Sequence, residues 1–392
     1  MKKLTIGLFG YGCVGSGLYQ VLERSSIDAQ IKKICIKDAD KSRNLERSRF
    51  TTDKFELLND PEINVIVELI DDPDAAFEIV CEAMKRGKSA VSANKKMIAE
   101  NMEHLLAIQK KYKTSFLYEG ACCASIPIIR NLEEYYDNDL LTSIKGIVNG
   151  STNFILTELM KGNGGYAGSL QKAQKMGFAE SDPTLDVEGY DAKYKLGILV
   201  FHAFGLKTRP VEIFNYGITR LNEFDVEFAR KHGYTIKLLA RAEKNNGHLK
   251  AYCLPAFVSK DTIIAATDNE YNALILETSF AEQQVLYGKG AGDTPTGSAV
   301  LSDVAALSHD YRYEFKKYTN SNGGLQLNAD FLINAYIRYD ENTDFDRSVF
   351  HQIKEEFRSE THHYLIGEIS LRTLSDSGMA RKQNVSIISF DS

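Results

Sequence analysis

The sequence predicts an α/β protein: an N-terminal domain built on a parallel sheet, an α+β domain after it, and a small C-terminal α/β unit. Three observations predict it. Between residues 4 and 120, short apolar runs alternate with helical segments, the signature of a parallel sheet covered by its crossover helices. After about residue 130 helical segments dominate as far as 206, and strand pairs follow. A last series of strand, helix, strand and strand fills 327–392.

The elements follow in order. LTIGLFG (4–10) is a buried strand closed by glycine, and SGLYQVLERS continues with helical spacing. Strands at 30–37 and 64–70 come next, and the near-continuous apolar run NVIVELI suits a strand covered on both faces. The helix PDAAFEIVCEAMKRG has proline in its first turn and stops at Gly87. A strand at 89–94, a helix at 96–112 and a strand at 114–120 complete a first domain over 1–130. A second domain, 131–320, holds the strands IKLLARAE and HLKAYCLPAFV. Asn245-Asn246-Gly247 joins them, a hairpin signal. ALILETS and EQQVLYGKG form another pair, and a helix at 297–312 is expected to pack back on the first domain. In the tail, strands are expected at 331–340, 364–374 and 384–390, and a helix at 346–357.

The whole chain excludes several functions. Its 392 residues, 43% hydrophobic and 26% charged, make an ordinary globular composition with room for a sizeable core. A net charge of −6 without a basic block argues against nucleic acid. No apolar run approaches the length of a membrane helix. The start, MKKLTIGLFGYGCVGSGL, is basic and apolar like a secretory leader, but it lacks a cleavage site and runs into an amphipathic segment. Six cysteines (13, 35, 81, 122, 123 and 253) show no metal-ligand spacing and read as small buried hydrophobes in a reducing cytoplasm. A vicinal disulfide between Cys122 and Cys123 is the weaker reading.

Gly10-Tyr11-Gly12-Cys13-Val14-Gly15 is G-x-G-x-x-G. By itself it is a weak signal, equally a glycine turn in a protein without cofactor. Here it follows the first strand and opens a helix, the context of a Rossmann-type dinucleotide site. Its glycines let the backbone approach a pyrophosphate at a helix N-terminus. The choice between NAD and NADP is read at the end of the second strand, Ile36-Lys37-Asp38. A carboxylate would hold the ribose hydroxyl and a cation the 2′-phosphate. Lys37, helped by Lys41 or Arg43, inclines the reading to NADP or dual use. The alternative is that all three are surface charges.

A second site is suggested by GFAESDPTLDVEGYDAKYKLGILVFHAFG (177–205), an acidic loop running into an apolar helix. Asp191 and Lys195 are four apart and share a helix face. Spacing alone favours a structural ion pair on a helix surface. VSANK changes the balance by putting Lys95 just beyond a parallel strand, where open α/β sheets bind ligands, and YEG puts Glu119 at the end of the next. Lysines beside a nicotinamide suggest carbonyl reduction, with one lysine protonating the oxygen. Acids would hold an ammonium group. The substrate class is then an amino acid bearing a carbonyl or hydroxyl.

GYGCVG, VSANK, YEGACCASIPII, GIVNGSTNFIL, GFAESDPTLDVEGYDAKYKL and GKGAGDTPTGSAVLSD, spread over residues 1–310, together resemble homoserine dehydrogenase. The resemblance implies NAD(P)H-dependent, reversible reduction of L-aspartate 4-semialdehyde to L-homoserine, on the route to threonine and methionine. It implies Lys195 as proton donor supported by Asp191, Glu180 as ligand of the substrate ammonium with Asp186 shaping that pocket, and Lys95 between cofactor and substrate. It also implies cofactor contacts at Ser92, Gly177, Gly290 and Gly292, beside those of Gly10, Gly12, Cys13, Val14, Gly15 and Lys37. A monovalent cation, Na⁺ or K⁺, would be held by Glu119 and the main chain of Cys122, Ala124 and Ile126. The chain departs from the family's EGAVGGGIP there, since Ala124 and Ser125 restrict φ where glycines do not. IDDPDAA (70–76) also replaces a common glycine turn, and Asp71 and Asp72 either repel a cofactor or face solvent.

The tail resembles a short ACT regulatory unit over 327–392. That leaves two readings, an amino-acid effector site or a degenerate or dimer-assembled unit. The expected form is monofunctional, a homodimer or higher homo-oligomer assembled through the central sheet. Two rivals remain: a catalytically inactive NAD(P)-binding sensor with the tail as its reporter, and an acid-forming semialdehyde dehydrogenase using Cys122 or Cys123.

Overall fold

A computed structural model describes residues 2–391 apart from 139, 163, 321–323, 341, 342, 344 and 361. The chain divides into two compact units. Residues 1–139, 201–207 and 288–320 form one, and residues 140–200, 208–287 and 321–392 the other.

The first unit is built on a parallel sheet. Its strands are β1 (Leu4–Phe9), β2 (Ala29–Cys35), β3 (Phe50–Thr51), β4 (Val65–Glu68), β5 (Ser89–Ser92) and β6 (Phe116–Leu117), in the order β3-β2-β1-β4-β5-β6. The order reverses between β1 and β4, which opens a crevice at the carboxyl ends of those strands. Between the strands run α1 (Cys13–Glu23), α2 (Lys54–Leu58), α3 (Pro73–Lys85) and α4 (Lys95–Tyr112), and α5 (Ile128–Glu134) follows the last strand. Every residue of β1 and β4 is buried, as their apolar runs require. β3 and α2 are too short for hydrophobic periodicity to show them. α3 begins where the proline placed it, and Asp72 accepts the backbone N–H groups of Asp74 and Ala75 as its cap.

In the second unit β7 (Leu141–Ile147) leads into α6 (Gly150–Lys161), α7 (Gly165–Lys175), α8 (Thr184–Val187) and the first eleven residues of α9 (Tyr190–Phe204). β8 (Phe214–Asn215) and α10 (Glu223–Lys231) precede four long strands, β9 (Tyr234–Asn245), β10 (His248–Ser259), β11 (Tyr271–Thr278) and β12 (Glu282–Lys289). The β9–β10 hairpin closes with Asn245 opposite His248, and Asn246 and Gly247 both take positive φ (48° and 77°).

The chain then returns to the first unit as α11 (Asp293–Leu307) and α12 (Lys316–Asn320). α11 lies tight against α1. A Cβ on Gly17 would stand 2.1 Å from the Asp293 carbonyl oxygen, and one on Gly297 would stand 2.5 Å from the Leu18 nitrogen. Only glycine permits that approach.

The tail differs from the expected α/β unit. It adds β13 (Gln326–Leu327), β14 (Leu332–Asp340), β15 (Gln352–Arg358), β16 (His362–Ser370), α13 (Leu371–Asp376) and β17 (Val385–Phe390) to the second unit's own sheet. The order is β12-β11-β7-β9-β10-β17-β14-β16-β15, with β8 and β13 also paired to β10. The helix expected at 346–357 is a 3₁₀ turn at Arg347–Val349 followed by β15. Cross-strand partners hold it extended: Lys354 pairs with Glu368 at 2.8 Å, the Tyr364 hydroxyl donates to Glu355, and Phe357 stacks on Tyr364. Its charges also protect an exposed sheet edge.

Candidate active site

Helix α9 carries the first constellation. Its 3.6-residue turn puts Asp191 and Lys195 on one face. Lys195 Nζ lies 2.7 Å from Asp191 Oδ2 and donates to the Val148 carbonyl at 2.8 Å. This is no surface pair: Lys195 is 8% exposed and Asp191 2%. Two charges so far out of water need further hydrogen bonds to be tolerated. Asn149 provides them. Its Oδ1 accepts the Thr152 N–H and so caps α6. That fixes the amide's orientation and turns Nδ2 to Asp191 Oδ2 and Asp186 Oδ1, both at 2.7 Å.

The acidic loop therefore divides. Asp191 pairs with Lys195 directly, and Asn149 ties Asp186 to them. Asp182 accepts the N–H and hydroxyl of Thr184, which holds its carboxyl below the usual range. Glu188 accepts the Thr219 hydroxyl at 2.8 Å, with Arg220 at 3.7 Å. Glu180 is exposed and makes no ion pair among the described residues. Gly177, in the turn after α7, has φ +78°.

The first unit carries the second constellation, at the carboxyl edge of its sheet. Gly10 has φ +90°, and a Cβ there would stand 2.4 Å from the Leu69 carbonyl oxygen. Gly12 starts α1 with no side-chain cap, and nothing lies within 4 Å of where its Cβ would be. Cys13, Val14 and Gly15 form the first turn behind it. An uncapped helix start beside open space fits a pyrophosphate. Ser92 ends β5 opposite Glu68 of β4, and its hydroxyl donates to Glu68 at 2.5 Å. Glu68 also accepts the Ile70 N–H at 2.6 Å, and its burial pushes the carboxyl up to about 7. Lys95 is the first residue of α4, just past β5. Gly290 is buried, and Gly292 begins α11 at φ +129° without a side-chain cap.

Past β2, Lys37 is exposed, and Asp38 is drawn into its own turn, accepting the N–H groups of Asp40 and Lys41. A cavity of about 500 Å³ lies there, lined by Lys41, Arg43 and Arg47 with Ser42 and Thr51. The Arg43 guanidinium lies over Phe50, and its Nε is buried without a hydrogen-bond partner.

Residues 127–305 match the family profile of homoserine dehydrogenase, and residues 10–119 match the homoserine dehydrogenase NAD-binding domain. The homoserine dehydrogenase of Bacillus subtilis is 33% identical over 80% of this chain and 74% of its own length. That of Neisseria gonorrhoeae is 34% identical over 79% and 73%. The chain belongs to the homoserine dehydrogenase family. Among solved structures, a homoserine dehydrogenase from Thiobacillus denitrificans superposes with a TM-score of 0.87 at 27% identity, covering 100% of this chain and 98% of that one. The fold class and the oxidoreductase reading are thereby established, and nothing supports the inactive sensor.

In the stretch after β6 the backbone takes conformations that glycine would hold without strain. Cys123 and Ala124 take left-handed φ, +57° and +44°. Each such residue is strained by about 1–2 kcal/mol. Glu119 is buried behind them. Its carboxylate oxygens accept the N–H groups of Ile129 and Arg130, its own N–H goes to Asp303, and burial raises its carboxyl. The cysteines are all free thiols, so Cys122 and Cys123 form no disulfide. Sequence reasoning missed Asn149 and Glu68. The signals for both were present: asparagine three residues before Thr152, and a carboxylate at the end of a buried strand.

Proposed function

We propose that this chain reduces L-aspartate 4-semialdehyde to L-homoserine and prefers NADPH to NADH, with Lys195 giving the proton to the carbonyl oxygen. The observation that carries the reading is the buried Lys195–Asp191–Asn149 set. Bound nicotinamide supplies the hydride. Lys195 is held as an ammonium by Asp191 and by the Val148 carbonyl, so its proton is offered from a fixed position. Asp186 and the exposed Glu180 receive the substrate's ammonium group. Lys95, at the nucleotide edge of the first unit, balances carboxylate or phosphate charge. Gly10, Gly12, Cys13, Val14 and Gly15 cradle the pyrophosphate, with Ser92, Gly177, Gly290 and Gly292 as further cofactor contacts.

The preference for NADPH rests on Lys41 and Arg43, with Lys37 nearby. Asp38 is occupied by backbone donors, whereas Arg43 has a buried donor without a partner. A monovalent cation fits the oxygen chemistry of Glu119 and the carbonyls of Cys122, Ala124 and Ile126. The raised carboxyl of Glu119 would be drawn down by such an ion. Free thiols suit the reducing cytoplasm. The outer strand β12 and the exposed Phe280 and Tyr287 suit a homodimer through the second unit's sheet.

The test is turnover of L-aspartate semialdehyde followed by loss of reduced nicotinamide. Lys195→Ala should lower the rate by roughly 10²–10⁴ while nucleotide binding stays intact. Arg43→Ala should raise the KM for NADPH and leave that for NADH alone. In the reverse direction Lys195 must first lose its proton, so homoserine oxidation should quicken as pH rises. A Lys195→Ala enzyme with undiminished rate ends the reading.

A further inference from the structure

The second unit contains a cavity of about 560 Å³ whose lining includes none of the residues assigned to the reaction. One wall is the start of α9, with Tyr190 and Lys193. Another is the 211–220 strip, with Tyr216 and Arg220. The tail closes it with Asn328 and Arg381. Apolar groups from Ile213, Phe214, Leu371 and Ala380 line the remainder.

The charges on these walls are unequally satisfied. Glu188 is bonded to Thr219 and lies beside Arg220, and Glu212 is bonded to Arg209. Lys193 makes no ion pair among the described residues. Its ammonium stands 4.8 Å from the centre of the Tyr190 ring. Burial holds its pKa below the usual lysine range. Arg381, from the tail, likewise has no ion pair among the described residues. A half-buried ammonium without a carboxylate is costly, and a ligand anion would remove that cost.

We propose that this cavity binds a small aliphatic carboxylate, anchored by Lys193 with Arg381 closing over it. The apolar lining takes the carbon body, and the cavity size suits a small metabolite. The site bears on the reaction by its position. Lys193 lies two residues from both Asp191 and Lys195, about 200° round the helix from their shared face. An occupant therefore touches the back of the helix that holds the proton donor. The strip also holds the turn that carries Asp186: the Asn215 amide donates to the Glu188 carbonyl, and the Ile218 N–H to the Val187 carbonyl.

Titration calorimetry on the full-length protein tests this independently of catalysis. The probes are L-leucine, 4-methyl-2-oxopentanoate, isopentylamine and inorganic phosphate. Leucine and its oxo acid distinguish an amino-acid ligand from a plain organic acid. At least one should bind, while the amine and phosphate should not. Lys193→Met should weaken binding about tenfold or more, and Lys195→Ala should leave it unchanged, which separates the cavity from the substrate site. Arg381→Gln is the second variant should Lys193→Met fail to fold. Absence of binding by both carboxylates, equal binding of phosphate, or indifference to both cavity variants overturns the proposal.

Discussion

Asn149 serves two elements with one amide. Its oxygen caps α6, and its nitrogen bridges Asp186 and Asp191. The two roles are separable by mutation. Asn149→Ala removes both and leaves two carboxylates without their shared donor. Stability should fall by about 1 kcal/mol from the cap alone, and kcat about 10- to 100-fold. Asn149→Ser keeps a capping oxygen but cannot reach the acids. It should melt near the wild-type temperature and still lose kcat. Full kcat in the serine variant would remove Asn149 from the site. The asymmetry in what the sequence disclosed is physical. Asp191 and Lys195 were readable because four residues on a helix make one face. Their burial and the Asn149 bridge were not, because a contact 42 residues apart depends on where α6 starts and how it packs.

Between elements, the neighbouring ends of β4 and β5 place Glu68 beside Ser92, with no cation bonded to it among the described residues. The folded protein holds this carboxyl near 7, against 4.5 for the ordinary group. Between those values the native state keeps a proton that the unfolded chain has released. Its contribution to stability is therefore full below about pH 4.5 and is lost as pH rises through about 7. Above that the ionised form costs about 3 kcal/mol. Glu68→Gln is neutral like the protonated group and keeps an amide oxygen that accepts from Ile70. Urea melts should show it more stable than wild type at pH 8 and equal at pH 4.5. Equal stability at both pH values would mean that Glu68 is not held protonated. Element types, unlike such pairings, were largely legible in the first unit, where strand and helix periods alternate cleanly. They failed at β15. Its run of Lys354, Glu355, Glu356 and Arg358 carries no strong apolar period, and its extended form is set by β16 alongside it.

At the scale of the whole chain, the parallel sheet was readable from the alternation of strands and helices, whereas its strand order and the tail's attachment were not. β17 is the last strand in sequence, yet it lies between β10 and β14. It brings Val385 and Ile387 into a cluster with Tyr216, Tyr252, Leu254, Ile337 and Leu365. A buried ion pair fastens the same region: Arg338 of β14 donates to Asp225 of α10 at 2.9 and 3.2 Å, and Ser386 donates to the same carboxylate. A regulatory appendage can be removed with its host intact, but a central strand and a core cannot. Deleting 327–392 should therefore yield an unfolded or aggregated second unit rather than a deregulated enzyme, seen as loss of cooperative melting and rapid proteolysis. Arg338→Ala, which strands a fully buried Asp225, should cost about 3–5 kcal/mol. Soluble, active protein from the truncation would show that the second unit's sheet is complete without β17.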